Sequence, residues 1–269
     1  MMIVVKAGGS VLKEGASQDF VSDLKSVLLE NKVVLIHGGG IEVTEIASKL
    51  GKEQKFIVSP DGFRSRYTDK DTIEIYSMVI AGKINKQIVL ALQSQEIPAL
   101  GLSGLDGFLL RAERKKMLIA VDERGRKRVI DGGYTGKISK VNADLLRILI
   151  DNNYVPVIAP IAIGEEFEPL NVDGDRTAAY VAGAVNADRL ILLTDVNGLV
   201  LDGKLVSKIN ASELKKALPK IGPGMITKVY AALEALNLGI GEVLISSGFT
   251  RLPVSSSLKH ECGTVITRE

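Results

Sequence analysis

The stretch Met2-Ile-Val-Val-Lys-Ala-Gly-Gly-Ser10, read with Val33-Val-Leu-Ile-His-Gly-Gly-Gly40, decides the fold. Each is a short apolar run that stops at a glycine cluster, and a helical pattern follows each. Phe20, Leu24, Val27 and Leu28 recur at helical spacing after the first run, and Ile41–Leu50 follows the second. Continuous apolar runs of this length are strands buried on both faces, and their alternation with helices predicts a largely parallel sheet.

The same reading extends outward. Residues 51–68 form a long loop or hairpin, and Asp69–Ala81 and Ile84–Gln95 read as two helices. Turn signals at Glu123-Arg-Gly125 and Asp131-Gly-Gly133 divide 108–140 into antiparallel ribbons. Asn142–Asp151 is a helix and Tyr154–Ala159 a strand. The second half repeats the theme: helix Gly174–Val185, strand Asp188–Thr194, helix Gly224–Leu238, strand Glu242–Ser246 and a closing strand Thr264–Thr267. The alternation predicts an α/β fold with two lobes meeting near residue 165.

Composition excludes several classes. The 269 residues are 46% hydrophobic, enough to bury a sizeable core. Apolar runs such as Leu190–Leu193 fall far short of the roughly 20 residues that span a bilayer. Nothing after Met1–Val5 resembles a secretory leader, and Cys262 is the only cysteine. A reducing cytosol is the expected compartment, without membrane association. Two histidines and one cysteine argue against zinc. A net charge of +2 gives no case for nucleic acid. The charge is uneven, however: residues 111–128 hold eight basic side chains against three acidic ones.

Glycines at strand ends leave backbone N–H groups open to an anion, and the following helix adds its positive end. The familiar phosphate motifs fail on spacing. Gly136-Lys137 is followed by Ile138, and Asp131 stands where a P-loop needs glycine. Gly38-Gly-Gly40 runs into Ile41, Glu42 and Val43, so the dinucleotide fingerprint is absent. No Gly-x-Ser-x-Gly elbow accompanies the His37-Gly-Gly-Gly run.

Three cations suit phosphoryl transfer, which needs positioning and positive charge. Lys6 ends a buried strand beside Gly8 and Gly9. Lys228 lies in the first turn of the helix entered through Gly222-Pro-Gly224. Arg66, in Arg64-Ser-Arg66-Tyr-Thr68, suits a bidentate grip on a carboxylate. In Asn171-Val-Asp-Gly-Asp175, Asp173 is either a helix N-cap or an acidic site group, and Asp175 fits between two lysines. Thr194-Asp-Val-Asn-Gly198 follows a strand and is placed to line an adenosine pocket.

Taken as a set, Lys6-x-Gly-Gly, His37-Gly-Gly-Gly, Gly101-Leu-Ser-Gly-Leu-Asp-Gly107, Asn171-x-x-x-Asp175, Thr194-Asp-Val-Asn-Gly198 and Gly224-Met-Ile-Thr-Lys228 resemble the amino-acid kinase superfamily. The N-acetylglutamate kinase branch is the most similar. The resemblance implies one domain over 1–269 folded as an open αβα sandwich with a largely parallel central sheet, its lobe of about 1–165 holding the acceptor and that of about 166–269 the nucleotide. It also implies ATP with Mg2+ bridging its phosphates, and an acyl phosphate as product. Lys6 and Lys228 would stabilise the γ-phosphoryl in transit, with Asp175 organising them. Gly8, Gly9 and Gly38 would present amides to the phosphates, Gly39 and Gly40 would hold the acceptor, and Thr194, Asp195 and Gly198 would border the nucleotide. Asn171 and Arg66 would bind the acceptor's α-substituents, with Arg64 the alternative arginine. A homodimer is the family expectation.

The run Gly62-Phe-Arg64-Ser-Arg66-Tyr-Thr68 is two residues longer than the usual Gly-Leu-Arg-x-Thr. It resembles the sub-branch that phosphorylates aminoadipate or glutamate held on a small acidic carrier protein, LysW. The +5 segment 111–128 is then either the carrier's docking surface or an ordinary solvated ribbon. An N-acetylglutamate kinase acting on the free small molecule, and a non-catalytic nucleotide-binding protein on the same fold, are the alternatives.

Overall fold

The computed structural model describes residues 1–12, 16–60 and 62–269. Eight strands build the central sheet: β1 (Met2–Ala7), β2 (Lys32–His37), β3 (Ala99–Ser103), β4 (Val155–Ala159), β5 (Arg189–Thr194), β6 (Lys208–Asn210), β7 (Glu242–Ser247) and β8 (Thr264–Thr267). Their order is β6-β8-β7-β5-β1-β2-β4-β3, so β1 and β5 meet near the centre. Every pairing is parallel except β7 with β8.

Because strand side chains alternate, the sheet feeds two separate apolar layers. Val4, Val34, Ile36, Ile158, Leu190, Leu192 and Val243 face helices Ala143–Asp151, Gly174–Ala184 and Met225–Asn237. Ile3, Val5, Val33, Leu35, Val157, Ile191 and Leu193 face helices Gln18–Leu28 and Gly40–Lys49 and the long helix Lys70–Gln93. The result is the αβα sandwich.

Three features differ from the sequence reading. The helices expected over 69–81 and 84–95 are one helix, Lys70–Gln93, joined by a π segment at Met78–Ile84. A π turn keeps the backbone bonded while admitting an extra residue, so Gly82 does not break it. By length and composition this helix would cross a membrane, but Ile73, Ile80, Ile84, Ile88 and Leu92 are buried in the core. Ala99–Ser103 forms the edge strand β3, which has no alternating pattern to mark it. Helices Ala211–Ala217 and Pro253–Leu258 are too short for periodicity to reveal.

The 51–68 region is the hairpin Phe56–Val58/Arg64–Arg66. Residues 108–140 divide in two. Leu110–Arg114 and Gly136–Val141 join a four-stranded sheet with Ile161–Ile163 and Pro169–Asn171, while Met117–Val121 and Lys127–Asp131 project as a ribbon.

Candidate active site

The register of the central strands places Ala7 beside both His37 and Leu193. Both glycine turns therefore emerge together at the strands' carboxyl ends, where open α/β sheets bind ligands. Their backbones touch. A Cβ on Gly9 would lie 2.8 Å from the Gly39 nitrogen, and one on Gly38 would lie 2.8 Å from the Gly9 nitrogen. No larger residue fits at either position.

The structure redistributes the amides expected to face phosphate. The Gly8 N–H donates to the Leu193 carbonyl at 3.1 Å, and the Gly38 N–H donates to the Ala7 carbonyl at 2.9 Å. Both are taken up in extending the sheet. Among the described residues, the amides of Gly9 and Gly39 engage no backbone carbonyl, and Gly40 opens helix Gly40–Lys49, whose first amides lack intrahelical partners. Gly8 and Gly38 thus supply a turn without side chains, and the amides left without a backbone partner among the described residues are those of their neighbours.

Lys6 Nζ lies 2.7 Å from Asp175 Oδ1, and Lys228 Nζ lies 3.2 Å from Asp175 Oδ2. One carboxylate grips two ammonium groups, and the three side chains come from three distant elements. Asp173 caps helix Gly174–Ala184 by accepting from the Arg176 N–H at 2.9 Å, and Asp175 follows inside the first turn. Asp173 is therefore a helix cap, whatever else it does. Lys6 is 8% exposed and Asp175 4%. Burial alone would lower the lysine pKa, but Asp175 overrides it and raises it. Burial alone would raise that of Asp175, but Lys6 and Lys228 hold it below the usual carboxylate range. The cluster carries an excess positive charge, and each ammonium has further N–H donors left for a phosphate.

Two cavities share Lys6, Gly9, Gly40, Phe56, Arg64 and Arg66 in their walls. The larger, of about 1320 Å³, runs from Thr194, Asp195 and Gly198 past Gly222, Gly224 and Lys228. The Thr194 hydroxyl donates to Asp195 at 3.1 Å. Gly224, at φ +85°, turns the chain into helix Met225–Asn237, a conformation that disfavours any side chain. At Gly198 a Cβ would come within 2.7 Å of the Thr264 hydroxyl oxygen.

The smaller cavity, about 600 Å³, is bordered by Gly38–Gly40, Tyr76, Asn171, Arg176 and the ribbon residues Leu118 and Ile119. Arg66 is buried here. It donates to the Gly40 carbonyl at 2.7 Å, to the Thr44 hydroxyl at 2.9 Å and to the Gln54 side-chain carbonyl. Its guanidinium braces the first turn of helix Gly40–Lys49 and keeps two N–H donors over. Arg64 is exposed and stacks on Phe56, 4.1 Å from the ring centroid. Asn171 donates to the Thr68 hydroxyl at 3.0 Å, leaving its own carbonyl oxygen uncommitted.

Lys115 and Arg176 border the same cavity, and no motif in the sequence marks either as a site residue. Arg176 forms an ion pair with Glu234. Lys115 is half-buried, and burial, with Arg176 nearby, lowers its pKa. The only sequence signal for Lys115 is its place in the basic segment, where nothing separates it from solvated neighbours.

Residues 1–247 match the model of the Amino acid kinase family. Over 268 residues the chain is 51% identical to a protein of Nitrosopumilus maritimus (strain SCM1), with 100% of each chain covered. It is 46% identical over 266 residues to the LysW-aminoadipate/LysW-glutamate kinase of Sulfolobus acidocaldarius, covering 98% of this chain and 100% of that one. Among solved structures, smu.665 of Streptococcus mutans UA159 superposes with a TM-score of 0.81 at 25% identity, covering 100% and 99% of the two chains. Carbamate kinase of Giardia lamblia bound to AMP-PNP shares the fold, with a TM-score of 0.68 at 20% identity over 100% and 98%. By sequence and by architecture alike, the chain belongs to the amino acid kinase family.

Proposed function

We propose that this chain moves the γ-phosphoryl group of ATP onto the side-chain carboxylate of aminoadipate or glutamate held on a small acidic carrier protein of the LysW type. The product is an acyl phosphate, formed in the cytosol for lysine or arginine synthesis. The observation that carries this reading is the Lys6–Asp175–Lys228 cluster at the junction of two cavities. A carboxylate oxygen attacks the γ-phosphorus as the bond to the ADP oxygen breaks. The attacking group is already ionised, so no general base is needed. Catalysis then rests on position and charge. Lys6 and Lys228 stabilise the phosphoryl oxygens, and Asp175 holds both ammonium groups in place. The Gly9 and Gly39 amides point at the same charge.

The larger cavity takes the nucleotide along Thr194–Gly198, in the lobe of about 166–269. The smaller takes the acceptor, mostly in the lobe of about 1–165, with Arg66 and Asn171 on its α-substituents. Burial favours Arg66 over Arg64 for that role. Both oxygens of Asp175 lie on lysines, so Mg2+ would arrive with the ATP phosphates, offsetting their charge.

The carrier docks on the segment 111–128, most of which lies in the projecting ribbon. Leu118 and Ile119 belong to the acceptor wall, which puts the ribbon at the cavity mouth. Not every cation there is free. Arg126 and Arg128 bind Asp122, and Arg114 donates to the Gly133 carbonyl at 2.7 Å. Lys116, Arg124 and Lys127 remain exposed for an acidic partner.

ADP release from Mg-ATP tests the reading with carrier-bound aminoadipate, carrier-bound glutamate and free N-acetylglutamate as separate acceptors. Turnover on the carrier substrates alone is expected, with a carrier KM that rises steeply with salt while the ATP KM stays nearly flat. Turnover on free N-acetylglutamate alone would remove the carrier. Equal salt responses would remove the docking surface.

A further inference from the structure

One buried polar group next to the glycine turn has no part in the chemistry above. His37 ends β2, is fully buried, and precedes Gly38. Its Nδ1 lies 3.0 Å from the Gly38 carbonyl oxygen, and its Nε2 lies 3.1 Å from the Asn85 side-chain nitrogen.

Chemistry decides which ring nitrogen carries the proton. The Asn85 nitrogen also donates to the Val157 carbonyl at 2.9 Å, with the Leu102 carbonyl farther off at 3.5 Å, while Asn85 Oδ1 accepts from Lys86 Nζ at 3.0 Å. Flipping the amide would set oxygen against the Val157 carbonyl and nitrogen against an ammonium group. The orientation is therefore fixed, and Asn85 presents an N–H to His37. Nε2 must accept it, so the proton sits on Nδ1 and is donated to the Gly38 carbonyl.

That carbonyl belongs to the peptide unit joining Gly38 to Gly39. The unit is planar and trans, so holding its C=O toward the imidazole turns the Gly39 N–H the opposite way. Gly39 lines the acceptor cavity, and its nitrogen sits over the Gly9 backbone, beside the second turn. We propose that His37, fixed as its Nδ1–H tautomer by Asn85, is a positioning residue that aims the Gly39 amide at the transferred phosphoryl group.

The π segment makes this arrangement possible. Asn85 follows directly on Met78–Ile84 and lies fully buried, with its Oδ1 in the space that a Cβ on Gly101 would need. The same segment lays the Ile80 and Ile84 side chains against Gly39, leaving no room for a Cβ there. The extra residue of the π turn thus rotates one face of the long helix onto the turn, and Asn85 and both isoleucines support it together.

The inference rests on the phosphoryl-transfer reading, and two substitutions test it in the same ADP-release assay. His37→Asn places an amide N–H near the Nδ1 position, and His37→Gln places one near Nε2. The expected result is a kcat loss of ~30- to 100-fold for His37→Gln, with ATP KM within about threefold, whereas His37→Asn stays within about fivefold of the parent. Equal kcat losses in both variants, tracking their loss of Tm, would make His37 a packing residue and overturn the proposal. A parent without turnover would instead overturn the kinase reading, and this inference with it. Should either variant fail to fold, 15N NMR of the parent decides. Only His37 and His260 contribute imidazole-ring signals, and His37 is expected as the neutral Nδ1–H form at pH 7. An Nε2–H form would overturn the proposal.

Discussion

At the residue scale, the proposed chemistry rests on the ion cluster. Lys6, Asp175 and Lys228 are recognisable in the sequence as a lysine ending a strand, an acid just inside a helix and a lysine one turn into another. Their contact is not, since it joins residues 169 and 53 positions apart. Replacing Lys6 by Met removes one of two cations at the reacting phosphoryl. The expected result is a kcat reduced by ~10²- to 10³-fold, with the ATP KM changed far less, in steady-state assays. The pH dependence has a definite sign. The Asp175 pKa lies below 3.8 in the fold, so its stabilisation is present above that value and lost as pH falls through the lower native one. The Lys6 pKa lies above 10.5, so its contribution is present below 10.5 and lost as pH rises through the higher native value. Between pH 5 and 9 neither titrates; burial and Asp175 raise the pKa of Asp173 and burial lowers that of Lys115, so a kcat midpoint in that window should disappear in Asp173→Asn or Lys115→Met, and one that persists in both would remove the pair from the mechanism.

At the element scale, the long helix and the hairpin shape what the strands deliver. The periodicity of 69–95 was readable, but not its continuity through Gly82, because a π turn has no composition of its own. His37 gives that packing a measurable signature. Burial, with Lys86 and Lys6 nearby, lowers its pKa from 6.5 to about 4. Below pH 6.5 the unfolded chain takes up a proton that the folded chain refuses. Stability should therefore fall as pH drops from 6.5 to 4, by on the order of 3 kcal/mol in all. Thermal unfolding across that range should show a steeper decline for the parent than for His37→Asn. On the hairpin, Phe63 packs on Tyr230 of the helix Met225–Asn237, with centroids 4.9 Å apart. This contact ties the proposed acceptor side to the proposed nucleotide side. Phe63→Ala should raise the acceptor KM by ~3- to 10-fold, the worth of one aromatic pair, with the ATP KM little changed.

At the scale of the whole molecule, the outer face of Lys70–Gln93 leaves Met78 and Leu90 at 60% and 66% exposure, beside the edge strand β3 with Leu100. A homodimer built on this face would cover both the apolar ridge and an open strand edge. Light scattering on the purified protein is expected to give twice the 28.8 kDa chain mass, and Leu90→Glu should shift it toward the monomer. A monomeric parent would dispose of the dimer.

By itself, the sequence determined the α/β class, most of the strands and the two glycine turns. Each of these depends on local periodicity or on a backbone that admits no side chain, which neighbouring residues reveal. Tertiary structure alone decided that Gly8 and Gly38 spend their amides on the sheet while Gly9 and Gly39 keep theirs. It also decided that Lys115 borders the smaller cavity and that Asn85 packs against the ring of His37. These depend on which groups remain after distant strands and helices have satisfied the others, and no local pattern records that outcome.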